Sequence, residues 1–187
     1  MLNSAGINHS HITGGCGVFA GTEYLQRHNH VARILHQALA IKYHLIEVKS
    51  PDYKYQANRL LQKHPLKLYW DESIITDHTV RHNKPYILLI DLTKKKTELM
   101  YVGIPNDNNI SSTVGEKLRK YQELAIELKE LYHLEGVTAT PIIIFTNGLV
   151  PKSTVAGVNA LGVPVDVLRE AQQSVLLARI VRKVLSI

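Results

Sequence analysis

Basic side chains recur on both sides of a strand hairpin predicted near the middle of the chain, where they are placed to bind phosphate. The 187-residue chain has a net charge of +6. That charge permits contact with nucleic acid, but it is equally common in basic proteins that have no such role. A solvated basic surface therefore stays open as the alternative. The candidate residues are Arg81, His82, Lys84, Lys94, Lys95, Lys96, Lys117, Arg119 and Lys120.

The hairpin and one helix would position these side chains. PYILLIDL is rich in β-branched residues and leucine and predicts a buried strand, and TELMYVGIP beyond the lysine-rich turn predicts its partner. Thr113 and Glu116 have the spacing of a capping box, and the apolar residues behind them predict a helix over 113–134. Gly136 is expected to end that helix.

The other segments complete one domain. Apolar residues at helical spacing predict a helix within 23–45, and the proline-bounded residues 48–66 predict a polar connection. VTATPIIIFTNGLVP predicts a strand buried on both faces, with Pro141 at its start. A short helix near 153–161 and a last helix capped by Asp166 follow.

The order of these elements predicts an α/β (α+β) fold with one mixed β-sheet flanked by helices. Residues 1–22 are rich in glycine and predict an irregular entry segment, so the folded domain is expected to occupy 23–187. No apolar run is long enough to span a membrane, and the N-terminus has no signal-peptide pattern. One cysteine excludes an internal disulfide. These features predict a protein of the nucleus or cytoplasm that is not secreted.

Several segments together resemble one family of proteins, in order over about residues 9–187. It is the C-terminal region of polyproteins from non-LTR retrotransposons, downstream of the reverse transcriptase. In elements with a restriction-like endonuclease, that region carries a nuclease of PD-(D/E)XK type, so the resemblance implies a restriction-endonuclease-like core. The segments are RHNHVARILHQALA, LYWD, IITD, NKPYILLID, VGIPNDNN, EKLRKYQELAIE and VLLARIVRKVLSI.

The resemblance implies a metal-dependent site at the hairpin, and in this chain that site is degenerate. The family pattern has Pro-Asp in one strand, a second Asp in the next strand and a lysine on the following helix. Pro85 matches the proline, but Tyr86 and Tyr101 stand where the two aspartates would be. Lys117 or Lys120 matches the lysine. Such carboxylates hold Mg²⁺ against the scissile phosphate, and a neutral phenol cannot replace them, so no cofactor is expected.

Nearby acids are candidate substitutes for the missing pair. Asp107 follows the second strand and is the best rescue acid, whereas Asp91 lies at the far end of the first strand and is expected to be out of reach. If positions 86 and 101 are the former acid positions, aspartate at both is expected to restore Mg²⁺ binding. The tyrosines also suit a structural role, because aromatic residues stabilise strand pairs by packing.

The family also places a zinc knuckle upstream of the nuclease. His11 and Cys16 match the last two ligands of that knuckle, and the first cysteine pair is absent. Structural zinc requires four nitrogen or sulfur ligands, so an intact zinc site is not expected. The triplet His28-Asn29-His30 suggests a different metal-dependent nuclease, but it lies in a helical pattern, where its side chains diverge.

The sequence leaves three functions open. The first is a nuclease-fold domain without catalysis that still binds DNA or RNA. The second is an active metal-dependent endonuclease with a rebuilt acid site. The third is a protein-interaction module or relic with no retained activity. Oligomeric state is not indicated by any pattern in the sequence.

Overall fold

The computed structural model describes residues 20–105, 115, 119 and 121–185. This part of the chain forms one five-stranded sheet with helices on both faces. The elements are α1 (Ala20–Lys42), β1 (Leu60–Lys63), β2 (Leu66–Trp70), β3 (Ile87–Asp91), β4 (Lys96–Gly103), α2 (Gln122–Leu131), β5 (Gly136–Ile143), α3 (Lys152–Ala160) and α4 (Asp166–Leu185).

The sheet is mixed, which confirms the predicted α/β class. Its strands lie in the order β1-β2-β3-β4-β5. The first four strands pair antiparallel, and β5 pairs parallel to β4 after the chain crosses over through α2. A parallel pair requires such a crossover, because the chain must return to the same end of the sheet.

The core has two parts because alternate residues of β3 and β4 face opposite sides of the sheet. Ile87 and Met100 pack with residues of α1, α3 and α4 in one buried cluster. Leu88 and Leu99 pack with residues of α2 in the other. The sheet is therefore covered by three helices on one face and by α2 on the other.

Helix α1 follows the predicted apolar stripe. Val31, Leu35 and Leu39 are buried against the sheet, as their helical spacing requires. Leu25, which belongs to the same predicted stripe, is 48% exposed. The helix begins at Ala20, so residues 20–22 belong to it and not to the predicted irregular segment.

The polar connection predicted for residues 48–66 is wrong at its C-terminal end. Leu60–Lys63 forms β1, which pairs antiparallel with β2. Leu68 of β2 is fully buried, whereas the residues of β1 are largely exposed. An exposed edge strand has no strongly alternating apolar pattern, which is why the sequence did not indicate it.

Two further predictions about the region after α2 are corrected. The described helix ends at Leu131, and Gly136 begins β5 instead of ending the helix. Pro141 lies inside β5 opposite Tyr101, not at the start of the strand. A proline without an N–H is tolerated there because β5 is the outermost strand and pairs on one side only.

The two C-terminal helices occur where they were predicted. Thr154 in α3 bonds both the N–H and the carbonyl of Ile143, at 3.0 Å and 3.1 Å, and so fixes α3 to the end of β5. Helix α4 begins at the predicted Asp166. Within the described ranges, no helix is both long enough and apolar enough to cross a membrane.

Candidate functional site

Tyr101 is part of the core beneath α2. Its side chain is 1% exposed and lies in the cluster that also contains Leu124 and Leu128. The ring stacks on Tyr121, with 6.3 Å between the ring centroids and 27° between the ring planes. Burial raises the pKa of Tyr101 to about 12. The phenol is therefore neutral near pH 7 and is shielded from solvent.

Tyr86 directly precedes β3 and packs on the opposite face of the sheet. Its ring is half-buried, and it meets the ring of His28 edge-on at a centroid distance of 4.0 Å. The ring of Trp70 also meets the Tyr86 ring edge-on, with 6.5 Å between the ring centroids. Burial is the main cause of the raised pKa of Tyr86. The charge of Asp71, and to a smaller extent that of Tyr24, raises it further.

The two tyrosines lie close together in the β3–β4 pairing, but their rings pack in different clusters. β3 and β4 are neighbours, and Ile87 pairs with Met100, so positions 86 and 101 lie at the same end of the hairpin. Tyr101 belongs to the cluster beneath α2, whereas Tyr86 packs against the cluster beneath α1. The two rings therefore pack in different parts of the core.

Three candidate site residues lie outside the described residues. They are the two candidate lysines, Lys117 and Lys120, and the candidate rescue acid Asp107. Gly115 and Arg119, on either side of Lys117, are helical, and α2 covers the face that contains Tyr101.

A carboxylate that the sequence did not single out lies beside Tyr86. The N–H of Asp71 donates to the carbonyl of Tyr86 at 2.8 Å, and its carboxylate pairs with the Lys84 ammonium at 3.1 Å. The Tyr121 hydroxyl donates to the Lys84 carbonyl at 3.3 Å, which connects both sides of the sheet at this end. Asp71 directly follows β2 in the segment LYWD. Its place in the sequence did not indicate that it would lie beside Tyr86.

Basic residues cluster at this same end, which is hereafter called the Lys84 end. Arg81 is exposed, and the Lys84 side chain is 51% exposed even though it pairs with Asp71. Arg119 is also exposed and lies two residues before Tyr121, whose hydroxyl contacts the Lys84 backbone. Exposed ion pairs are worth little in water, so phosphate can compete for Lys84.

The lysine-rich turn lies at the other end of the hairpin. The Lys94 ammonium is 3.5 Å from Asp91, and the Lys95 carbonyl accepts a hydrogen bond from the N–H of Glu135 at 2.7 Å. Lys96 is exposed and pairs with Asp91 across the strands. Five residues of β3 separate this turn from the Lys84 end, about 16 Å at the usual strand rise. The described members of the predicted basic set therefore form two groups, not one face.

Described acids near the turn do not form a metal site with the tyrosines. Asp91 accepts a hydrogen bond from the N–H of Lys94 at 2.9 Å, and it lies at the far end of β3, as predicted. Glu98 is half-buried beside Thr140, whose hydroxyl donates to it at 3.4 Å. Burial is the main cause of the raised pKa of Glu98. Among the described residues, neither acid belongs to a group of three possible metal ligands.

The geometry at the Lys84 end is suited to holding phosphate and poorly suited to holding Mg²⁺. Mg²⁺ requires anionic oxygens in a near-octahedral arrangement. Two neutral phenols on opposite faces of the sheet do not supply them, and Asp71 is already paired with Lys84. Exposed arginine and lysine side chains, in contrast, are the usual phosphate ligands.

The histidines and the cysteine that the sequence suggested as possible metal ligands were not expected to form an intact site. His11 and Cys16 lie outside the described residues. The His28 ring Nε2–H donates to the Val102 carbonyl at 3.0 Å, so His28 joins α1 to β4 within the core. His30 is half-buried on the same helix, and burial is the main cause of its lowered pKa.

No protein-family model matches this chain, and no curated protein matches it.

Proposed function

We propose that this chain is a retrotransposon-derived domain with a restriction-endonuclease-like core, which does not cleave nucleic acid and binds its phosphates at the Lys84 end. The strand–turn–strand–helix order that the family resemblance implies is present as β3, the lysine-rich turn, β4 and the helical region ending in α2. A mixed sheet flanked by helices also agrees with such a core. These features support the proposed ancestry.

The observation that carries the loss of catalysis is the packing at the two former acid positions. Tyr101 is 1% exposed beneath Tyr121, and the Tyr86 ring contacts His28 on the other side of the sheet. The Tyr101 ring is therefore part of the core, and the Tyr86 ring packs against it, instead of lining an open metal site. A cleft that has lost two carboxylates is also more positive, which favours phosphate binding.

Binding is assigned to the Lys84 end because it lies at the same end of the hairpin as Tyr86 and Tyr101, where the family resemblance implies the scissile phosphate would be held. Arg81, Lys84 and Arg119 are exposed there. The lysine-rich turn is partly neutralised by Asp91 and is about 16 Å away along β3. An interaction module without nucleic-acid affinity is the alternative that the binding experiment excludes.

The experiment compares two double variants that each remove two positive charges. Arg81→Ala with Lys84→Ala removes charge from the Lys84 end, and Lys95→Ala with Lys96→Ala removes the same charge from the turn. Fluorescence anisotropy with labelled duplex DNA, single-stranded DNA and RNA would be measured over a series of salt concentrations. Affinity should fall steeply with salt, since each neutralised phosphate contributes about 0.9 to the slope of log K against log salt for duplex DNA.

The first double variant is expected to reduce that slope by up to about 2, with similar losses for all sequences, while the turn variant keeps the wild-type slope. If the turn variant alone loses affinity, the binding surface is at the other end of the hairpin. If the wild-type protein shows no salt-dependent affinity for any of the three probes, the phosphate-binding part of the proposal is wrong and an interaction module is favoured.

A further inference from the structure

Three side chains of types that bind metal converge beside α2. His78 comes from the loop between β2 and β3, and Glu127 and Glu130 come from α2. One ligand atom from each residue lies within 4.8 Å of the other two. We propose that these residues form a binding site for a divalent transition metal of the zinc class, which fastens the loop to the helix.

Two of the ligands are already held in place. The His78 ring Nδ1 and the Glu127 Oε1 are 2.9 Å apart, and the His78 backbone N–H donates to the other Glu127 oxygen at 3.3 Å. The Glu127 side chain is only 13% exposed, whereas that of His78 is 76% exposed. The carboxylate is thus fixed by the fold, and an ion can reach the histidine from solvent.

The third ligand follows from the helical repeat. Glu130 is three residues after Glu127, so both side chains lie on the same side of α2. Glu130 is exposed and can turn toward His78 without disturbing the core. The buried neighbours Leu124 and Leu128 face the sheet and keep this side of the helix turned outward.

The donor set selects the class of metal. Imidazole nitrogen with two carboxylate oxygens suits Zn²⁺ and its neighbours such as Co²⁺, whereas Mg²⁺ and Ca²⁺ prefer oxygen ligands throughout. Two carboxylates balance the charge of a divalent ion. A water molecule would complete a tetrahedral arrangement.

Metal at this site would act on the loop that covers the Tyr101 face. The loop packs Ile74 and Val80 into the cluster beneath α2. Its own bonds include Ile74 N–H to the Asn83 carbonyl at 2.8 Å and the Asn83 amide to the Ile74 carbonyl at 3.2 Å. An ion shared by His78 and α2 would fix the same loop from outside. This role is structural and does not depend on the proposed function.

The test is a titration of the full chain with Zn²⁺ against a chromophoric chelator, together with the visible spectrum of the Co²⁺-loaded protein. Wild type is compared with His78→Gln and Glu130→Gln, and each exposed substitution is checked for folding by thermal melting without metal. Glu123→Gln is the matched control, because Glu123 is exposed on the same helix outside the cluster. Cys16→Ser is a second control, since the cysteine is itself a zinc ligand type.

Wild type, Glu123→Gln and Cys16→Ser are expected to bind one Zn²⁺ with equal affinity and to give a four-coordinate Co²⁺ spectrum. His78→Gln and Glu130→Gln should each weaken Zn²⁺ binding at least about tenfold and lose that spectrum, because each removes one ligand. Zinc should also raise the melting temperature of wild type but not of these two variants. Equal zinc affinity in all five proteins, or no zinc binding by wild type, would overturn the proposal.

Discussion

Aspartate in place of Tyr101 is expected to lower the free energy of unfolding by about 4 kcal/mol or more near pH 7. The change removes a ring that is 1% exposed and stacked on Tyr121, and it leaves an unpaired carboxylate in an apolar cluster. Such a loss is a large fraction of the stability of an ordinary domain. Urea unfolding followed by circular dichroism measures it.

The pH dependence separates the charge from the lost ring. Burial would raise the pKa of the introduced carboxyl above its unfolded value, so the folded state holds the proton to higher pH than the unfolded state does. The loss of unfolding free energy in Tyr101→Asp should therefore be smaller near pH 4 than near pH 7. Tyr101→Asn, which is neutral at both values, should show the same stability at either pH once the wild-type trend is subtracted.

Tyr86→Asp is the matched control, because its ring is half-buried and lies beside solvent. It is expected to cost less than half as much as Tyr101→Asp, since the new carboxylate can remain hydrated. Equal stability of Tyr101→Asp and wild type near pH 7 would mean that position 101 is open to solvent. In that case the packing of Tyr101 would no longer support the proposed loss of a metal site.

The stability of the fold is expected to fall on acidification because of His36. Its side chain is fully buried, its Nδ1 lies 2.7 Å from the Tyr55 hydroxyl, and its ring packs on Trp70 at 5.4 Å. Burial lowers the pKa of His36 to about 4. At a pH between this value and the ordinary histidine pKa, the His36 ring is therefore neutral in the folded protein but protonated in the unfolded chain.

The direction of this change in stability with pH follows from proton binding. Between about pH 6.5, the ordinary histidine pKa, and the folded value, the unfolded chain binds a proton that the folded protein does not. Stability is thus full above this window and is lost as the pH falls through it. The loss approaches about 3 kcal/mol, at about 1.4 kcal/mol for each unit of pKa difference.

His36→Gln tests this linkage, because glutamine does not titrate. Urea unfolding of both proteins at several pH values between 4 and 7 would give the difference in stability. The other histidines contribute equally to both proteins and cancel. The wild-type curve is expected to fall more steeply than that of the variant, and parallel curves would show that His36 is protonated as easily in the folded state as in the unfolded chain.

Much of the architecture was predictable from local patterns. The stripe containing Val31, Leu35 and Leu39 indicated α1, and the apolar runs around the lysine-rich turn indicated β3 and β4. Strands β1 and β2 were both missed. For β1 the reason is that an exposed edge strand has little hydrophobic pattern. The position of Pro141 was mispredicted because the order of strands in the sheet cannot be derived from a proline alone.

The candidate site was predictable only in part, because its contacts join distant segments. The sequence suggested a structural role for the tyrosines, and Tyr101 is indeed buried. It did not indicate that Tyr86 would pack on His28, or that Asp71 would pair with Lys84. It also grouped the lysine-rich turn with Lys84, because the two are close in sequence. In the fold they lie at opposite ends of β3.

The most direct test of the central claim is a cleavage assay with Mg²⁺ and with Mn²⁺ on supercoiled plasmid, linear duplex and single-stranded DNA. No cutting above background is expected from the purified full chain, because under the proposal Tyr86 and Tyr101 stand where the metal-binding carboxylates would be, and neutral phenols do not replace them. Asp71→Ala and Asp107→Ala are assayed in parallel as the two acids that a rebuilt site would use. Metal-dependent cutting by wild type that disappears in either variant would contradict the account and establish an active nuclease.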